Sequence, residues 1–117
     1  MKRGDVYWIT SVDTTNLQQS VRHPYVIIED RSSGHTVQGT VVVCAVTSNM
    51  KRVSLPGNVL LDEGEANLSR SSVVEVSKVT RVNKVQLEAY IGSLSDRRLQ
   101  QIQAGIDFVQ RSFLHNK

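Results

Sequence analysis

Apolar residues in this chain gather into short, β-branched runs. Val6 to Thr10, Tyr25 to Ile28, Thr40 to Val46, Val59 to Leu61 and Val73 to Val76 each have strand length and strand composition. Turn chemistry separates them at Asp30-Arg31-Ser32-Ser33-Gly34, Leu55-Pro56-Gly57-Asn58 and Asp62-Glu63-Gly64. Several short strands at this spacing predict a barrel or a sandwich. The run from Thr40 to Val46 lacks polar alternation, which predicts a central strand covered on both faces. The end of the chain differs. Leu99, Ile102, Ile106, Val109 and Phe113 recur three and four apart with polar residues between them, which is one apolar stripe of an α-helix. Ser95 is placed to cap it, Asp96 suits its positive start, and Leu94 is placed to staple onto Leu99. A shorter helical turn is expected near Asn83 to Leu87. Phe108 and Leu114 lie off the stripe, as a subunit contact or as ordinary exposed apolar residues.

The 117 residues fit one domain spanning 1–117, with no repeat and no linker long enough to divide it. A chain of this size buries roughly two-thirds of its unfolded surface and needs no covalent staple. Its single cysteine, Cys44, excludes an internal disulfide and suits a reducing compartment. Its place inside the Thr40 to Val46 run marks it as a core thiol, not a nucleophile. No apolar signal follows Met1-Lys2-Arg3-Gly4-Asp5, and no apolar run approaches the ~20 residues needed to cross a bilayer. A soluble, cytoplasmic protein without membrane attachment is expected. The net charge of +3 is compatible with a polyanionic partner. Base collects at Lys51-Arg52, at Lys78, Arg81 and Lys84, and at Arg97-Arg98. These groups make a site only if the fold brings several onto one surface.

Common site chemistries are missing from the sequence. His23, His35 and His115 are scattered, no spacing suits a metal, and there is no phosphate loop, nucleophile elbow or dinucleotide fingerprint. No metal and no cofactor are expected. Two places remain. In Val21-Arg22-His23-Pro24 the proline holds His23 extended and marks the start of a strand, so a guanidinium and an imidazole would project there. An ordinary surface cation pair is the alternative. In Val46-Thr47-Ser48-Asn49 three small hydrogen-bonding side chains leave the buried strand, as a site or as a capped turn. The long polar stretch Asp13 to Ser20 is either a mobile connection or a binding element.

Met1-Lys2-Arg3-Gly4-Asp5-Val6-Tyr7-Trp8, the Arg-(His)-Pro strand start, the Val-rich strand ending in Thr47, Leu55-Pro56, Ser72-Val73-Val74 and Ile91-Gly92-Ser93-Leu94-Ser95 together resemble the MazF/PemK family, in the same order. The resemblance implies the toxin half of a type II toxin–antitoxin pair. It implies an SH3-like small barrel of antiparallel strands with a C-terminal amphipathic helix, mainly β with helices (α+β), acting as a homodimer. It also implies a metal-independent endoribonuclease that cuts single-stranded RNA at short sequences and is inhibited by a cognate antitoxin laid over the RNA groove. The family arginine maps onto Arg22 and the family threonine onto Thr47, with Gln18, Gln19, Ser48, Asn49, Lys51, Arg52, Lys78 and Arg81 as the expected RNA contacts. In that reaction a 2′-hydroxyl attacks the adjacent phosphorus and leaves a 2′,3′-cyclic phosphate. Arg22 offers a fork of donors for phosphate oxygens and serves mainly to stabilise charge. One departure matters: relatives place Arg directly before Pro, whereas His23 intervenes here. Either a bulge keeps Arg22 in the family position, or His23 occupies it and brings an acid–base group. The rival functions are a non-catalytic inhibitor of DNA gyrase, as in the related CcdB-like toxins, and a degenerate relative that binds RNA or antitoxin without cutting.

Overall fold

The computed structural model describes residues 1–12, 20–30 and 39–115, with side chains for 1–10, 21–30 and 39–112. Within them the chain forms β1 (Asp5–Val12), β2 (Ser20–Asp30), β3 (Thr40–Thr47), β4 (Val59–Leu61), β5 (Ser72–Asn83), β6 (Tyr90–Ser93) and helix α1 (Asp96–His115). Short 3-10 helices lie at Met50–Ser54, Glu65–Asn67 and Lys84–Gln86. The strands make one antiparallel sheet in the order β4-β5-β3-β2-β1-β6, curved into a half-barrel with α1 packed against it. This is the mainly β fold with a C-terminal helix that the sequence predicts.

Curvature comes from shifts of register. The β3–β5 ladder passes from Cys44↔Val79 to Val46↔Val74, so Glu75, Val76, Ser77 and Lys78 lie opposite Ala45 alone and β5 bends sharply. Smaller shifts occur between β1 and β6 and between β2 and β3. The opening between β4 and β6 is bridged by the Glu65–Asn67 helix. Asn67 Nδ2 donates to the Ile91 carbonyl at 2.9 Å. Gly92 lies so close to Ala66 that an added Cβ would come within 2.3 Å of its carbonyl oxygen.

One face of the sheet, with Val6, Val26, Cys44, Val46 and Val74, packs with Leu61, Leu94, Ile102 and Ile106 into the main core. The other face holds a smaller cluster of Ile9, Ile27, Val41 and Val43, partly covered by Tyr7, Tyr25, Val82 and Leu87. The central strand β3 is therefore buried from both sides, as its unbroken apolar run requires. Cys44 is fully buried, and its thiol donates to the Glu75 carbonyl at 3.0 Å. Burial, with the Glu75 carboxylate adding to it, pushes its pKa up to about 12, so it stays a protonated core thiol. On α1, Leu99, Ile102 and Ile106 are buried, and Ser95 Oγ accepts the Arg98 amide at 3.3 Å. The side chains of Phe113 and Leu114 lie outside the described residues, while Phe108 is half exposed.

Three elements differ from the sequence expectation. β2 begins at Ser20, so Pro24 lies inside a strand and does not mark its start. Trp8, opposite Pro24, directs both of its backbone groups to Glu88 and Ala89, and the β2–β3 ladder begins only at Tyr25↔Ala45. The missing proline N–H therefore faces a side with no neighbouring strand, where it costs no ladder bond. β5 continues past Val76 to Asn83, because Val79 packs on the main core and Val82 on the cluster of the opposite face, between exposed Lys78, Thr80 and Arg81. β6 is a four-residue strand with a glycine in it, too short to read from pattern. The helical turn expected near Asn83 to Leu87 is present at Lys84–Gln86, with the Asn83 amide donating to Gln86 Oε1.

The bridge is pinned to the helix by Arg98. Its Nε and Nη2 donate to the two carboxylate oxygens of Glu65 at 2.9 and 2.8 Å. That bidentate bond holds the Glu65 carboxyl below the usual range. Arg98→Ala is expected to lower unfolding stability by about 2 kcal/mol in urea titration at neutral pH. A depressed carboxyl stabilises the fold above its ordinary pKa and loses that contribution as pH falls through its lowered value. The gap between wild type and variant should therefore narrow once pH drops below about 4. An equal gap at pH 7 and pH 3 would count against the ion pair as its source.

Candidate functional site

The ladder between β1 and β2 runs without a shift from Val6↔Val26 to Val12↔Ser20. Arg22 stands opposite Thr10, and His23 opposite Ile9. Side chains alternate along a strand, so these two consecutive cationic residues project to opposite faces. Arg22 shares its face with Trp8 and Pro24, and its guanidinium carbon lies 4.4 Å from the Trp8 ring centroid. His23 shares its face with Tyr25. The β2–β3 ladder ends at Tyr25↔Ala45, and just beyond it His23 and Thr47 line the same clefts.

Two adjoining clefts open beside this stretch of β2. The larger, about 610 Å³, holds Trp8, Arg22, Ser48, Asn67, Ser69 and Arg70 among its lining residues. The smaller, about 290 Å³, holds Tyr25, Asn49, Arg52, Glu75 and Lys78. His23, Val46 and Thr47 line both. Of the residues singled out in the sequence, Arg22, His23, Thr47 and Ser48 thus meet at the larger cleft, and His23, Thr47, Asn49, Arg52 and Lys78 at the smaller. Lys51 and Arg81 are exposed and line neither. Gln18 and Gln19 lie outside the described residues.

The Thr47-Ser48-Asn49 run is a capped turn at the edge of both clefts. Thr47 Oγ1 accepts the Asn49 amide at 3.2 Å, and Asn49 Oδ1 accepts the Lys51 amide at 3.1 Å. The Asn49 bond occupies one lone pair of the threonine and leaves its hydroxyl hydrogen free to donate elsewhere. Glu75 is buried at the smaller cleft, with Arg52 Nε at 3.7 Å and Lys78 Nζ at 3.6 Å. These two expected RNA contacts therefore share a carboxylate and present less than two full positive charges.

Trp8, Tyr25, Arg70 and Glu75 were not singled out from the sequence. Only Glu75 leaves a signal there, as a charge that interrupts Val73-Val74-Glu75-Val76. Among the described residues no group of three or more His, Cys, Asp or Glu could hold a metal ion, and no helix is long and apolar enough to cross a membrane.

A family model for the PemK-like, MazF-like toxin of type II toxin–antitoxin systems matches residues 2–109. The chain belongs to that family. It is 26% identical over 106 residues to endoribonuclease MazF2 of Mycobacterium bovis, covering 91% of this chain and 93% of the relative. It is 27% identical over 107 residues to endoribonuclease MazF of Staphylococcus saprophyticus, covering 92% and 88%. Its fold matches a mycobacterial endoribonuclease solved in complex with its cognate antitoxin, with a TM-score of 0.66 at 20% identity over 89% of this chain and 88% of that one.

Proposed function

We propose that the chain carries out the endoribonuclease reaction of its family on single-stranded RNA, with His23 and Thr47 as the catalytic pair. The observation that carries this choice is the unshifted β1–β2 ladder. No bulge absorbs the extra residue before Pro24, so the position directly preceding the proline, where relatives have arginine, falls to His23. Alternation along β2 supports His23 on the Tyr25 face, where it lines the smaller cleft with Thr47, and Arg22 on the Trp8 face.

The pair supports attack by a 2′-hydroxyl. The imidazole of His23 takes the hydroxyl proton as the 2′-oxygen bonds to phosphorus. The bond from phosphorus to the 5′-oxygen breaks, and that oxygen receives a proton from the imidazolium or from solvent. The products are a 2′,3′-cyclic phosphate and a 5′-hydroxyl, with no net change in protons and no need for a metal. Thr47, its lone pair held by the Asn49 amide, directs its hydroxyl hydrogen to a non-bridging oxygen as negative charge grows there. Arg52 and Lys78, tethered to Glu75, supply a positive wall to the same cleft.

A relative in complex with its cognate antitoxin supports an antitoxin partner for this chain as well, one that covers the RNA groove with a segment that folds as it binds. A homodimer is supported by half-exposed apolar side chains at Met50 and Val53 on the 3-10 helix beside the smaller cleft, at Leu55 just after it, and at Phe108 on α1.

Purified protein incubated with a long single-stranded RNA in EDTA is expected to give discrete fragments ending in cyclic phosphate. His23→Ala should cut kcat at least ~100-fold and remove pH dependence between about 5 and 8, as loss of a general acid–base group does. Thr47→Ala should cost less. Arg22→Ala should raise KM more than it lowers kcat. Full activity of His23→Ala with loss in Arg22→Ala would reverse the assignment. RNA left intact by the wild-type protein would remove the reaction altogether.

Light scattering at micromolar concentration should return near twice the 13.1 kDa chain mass, and a monomer mass would count against the dimer. A saturating antitoxin segment should release bound RNA in a filter assay, and retained RNA would place the two partners on separate surfaces.

A further inference from the structure

Beyond His23 and Thr47, which line both clefts, the larger cleft holds groups that the proton transfer just described does not use and that suit nucleic acid. Trp8 is half-buried, so part of its indole reaches the cleft while the rest is anchored in the sheet. Among the described residues no carboxylate pairs with Arg22, whose partner is the Trp8 ring, and none pairs with Arg70 at the same cleft. This contrasts with Arg52 and Lys78, which share Glu75, and with Arg98, which is held by Glu65. An arginine stacked on an aromatic ring and a second arginine lining the same cleft, neither paired with a carboxylate, suit an anion attached to a flat group. Ser48 and Ser69 add hydroxyls to the lining. The cleft volume, about 610 Å³, lies within the range of sites that enclose a small organic ligand.

We infer that the larger cleft is a nucleotide subsite for the RNA strand being cut, in which a base stacks on Trp8 while Arg22 and Arg70 hold a flanking phosphate. This rests on the endoribonuclease reading above. Continuity supports it, since His23 and Thr47 line both clefts and a strand crossing between them needs no detour. A guanidinium on an exposed ring is held more weakly than one bonded to a phosphate through two hydrogen bonds. An arriving phosphate therefore draws Arg22 off the ring and bares the indole face to the base in the same step. Stacking reads a π-face and not a base edge, so the subsite adds affinity for single strands while tolerating any base.

The protein carries one tryptophan, so its intrinsic fluorescence reports this subsite alone. The probes are 2′-O-methyl RNA oligomers of about twelve nucleotides. They lack the attacking hydroxyl and cannot be cut. An abasic oligomer of equal length and charge is the control. Base-bearing oligomers are expected to quench Trp8 saturably, with the same midpoint as fluorescence anisotropy of an end-labelled oligomer, while the abasic one binds without quenching. Arg22→Gln, read through the native Trp8, should weaken binding and lower the salt slope by about one. Trp8→Ala should weaken binding by about tenfold, and Trp8→Phe should largely restore it. Oligomers that bind by anisotropy without changing Trp8 emission would overturn the subsite, as would equal quenching by the abasic strand. Quenching by an antitoxin segment but not by RNA would assign the cleft to the protein partner and equally overturn it. Cleavage of ordinary RNA without quenching of Trp8 sinks the subsite alone. Quenching without any cleavage sinks the reaction and leaves the subsite standing.

Discussion

The two-residue alternation of β2, locked by its unshifted ladder to β1, is the constraint on which the candidate site depends. Arg22 and His23 are adjacent in sequence, so an extended strand separates them by the thickness of the sheet. Arg22 faces Trp8 and lines the larger cleft, whereas His23 shares its face with Tyr25 and lines both clefts. Slipping by one residue would exchange them, but it would also turn Val26 and Ile28 out of the main core. The core thus fixes which face of the sheet each cation takes. Pro24 completes the arrangement by ending the need for a second neighbour where β3 has already turned away.

A second requirement is the bend in β5. Four residues opposite Ala45 swing the strand so that Val73, Val74 and Val76 all stay buried while Glu75 reaches the smaller cleft. The bend also carries β4 and the bridging 3-10 helix toward β6, where Gly92 admits the Ala66 carbonyl. Helix α1 is seated in the same way. Gly105 lies against Gly57, and an added Cβ there would come within 2.2 Å of the Gly57 carbonyl oxygen. Close approaches of this kind fix both the helix and the closure of the half-barrel.

Much of this was legible in the sequence. The unbroken Thr40 to Val46 run announced the doubly covered β3, and the three-and-four spacing from Leu99 to Val109 announced α1. Cys44 read correctly as core because its neighbours leave it no polar side. Arg22, His23, Thr47, Ser48, Asn49, Arg52 and Lys78 were all marked, and all line one cleft or the other. What sequence could not decide was face. The faces taken by Arg22 and His23 depend on whether a bulge lies before Pro24, and a bulge is a property of two strands together. The early start of β2 was hidden because its first residues pair on one side only and need no apolar run. The position of Trp8 was hidden for a related reason: only strand pairing shows that a residue near the N-terminus stands across from the Arg-His-Pro segment.

The protonated state of Cys44 has a practical side. A thiol buried to 0% exposure and ionising only near pH 12 offers alkylating reagents almost no thiolate at neutral pH. A cysteine introduced on the surface, for example at Ser69 on the cleft rim, would be the sole reactive sulfur in the molecule while the native one stays in place. Dyes, spin labels or photocrosslinkers could then be attached at one chosen point without disturbing the packing of β3.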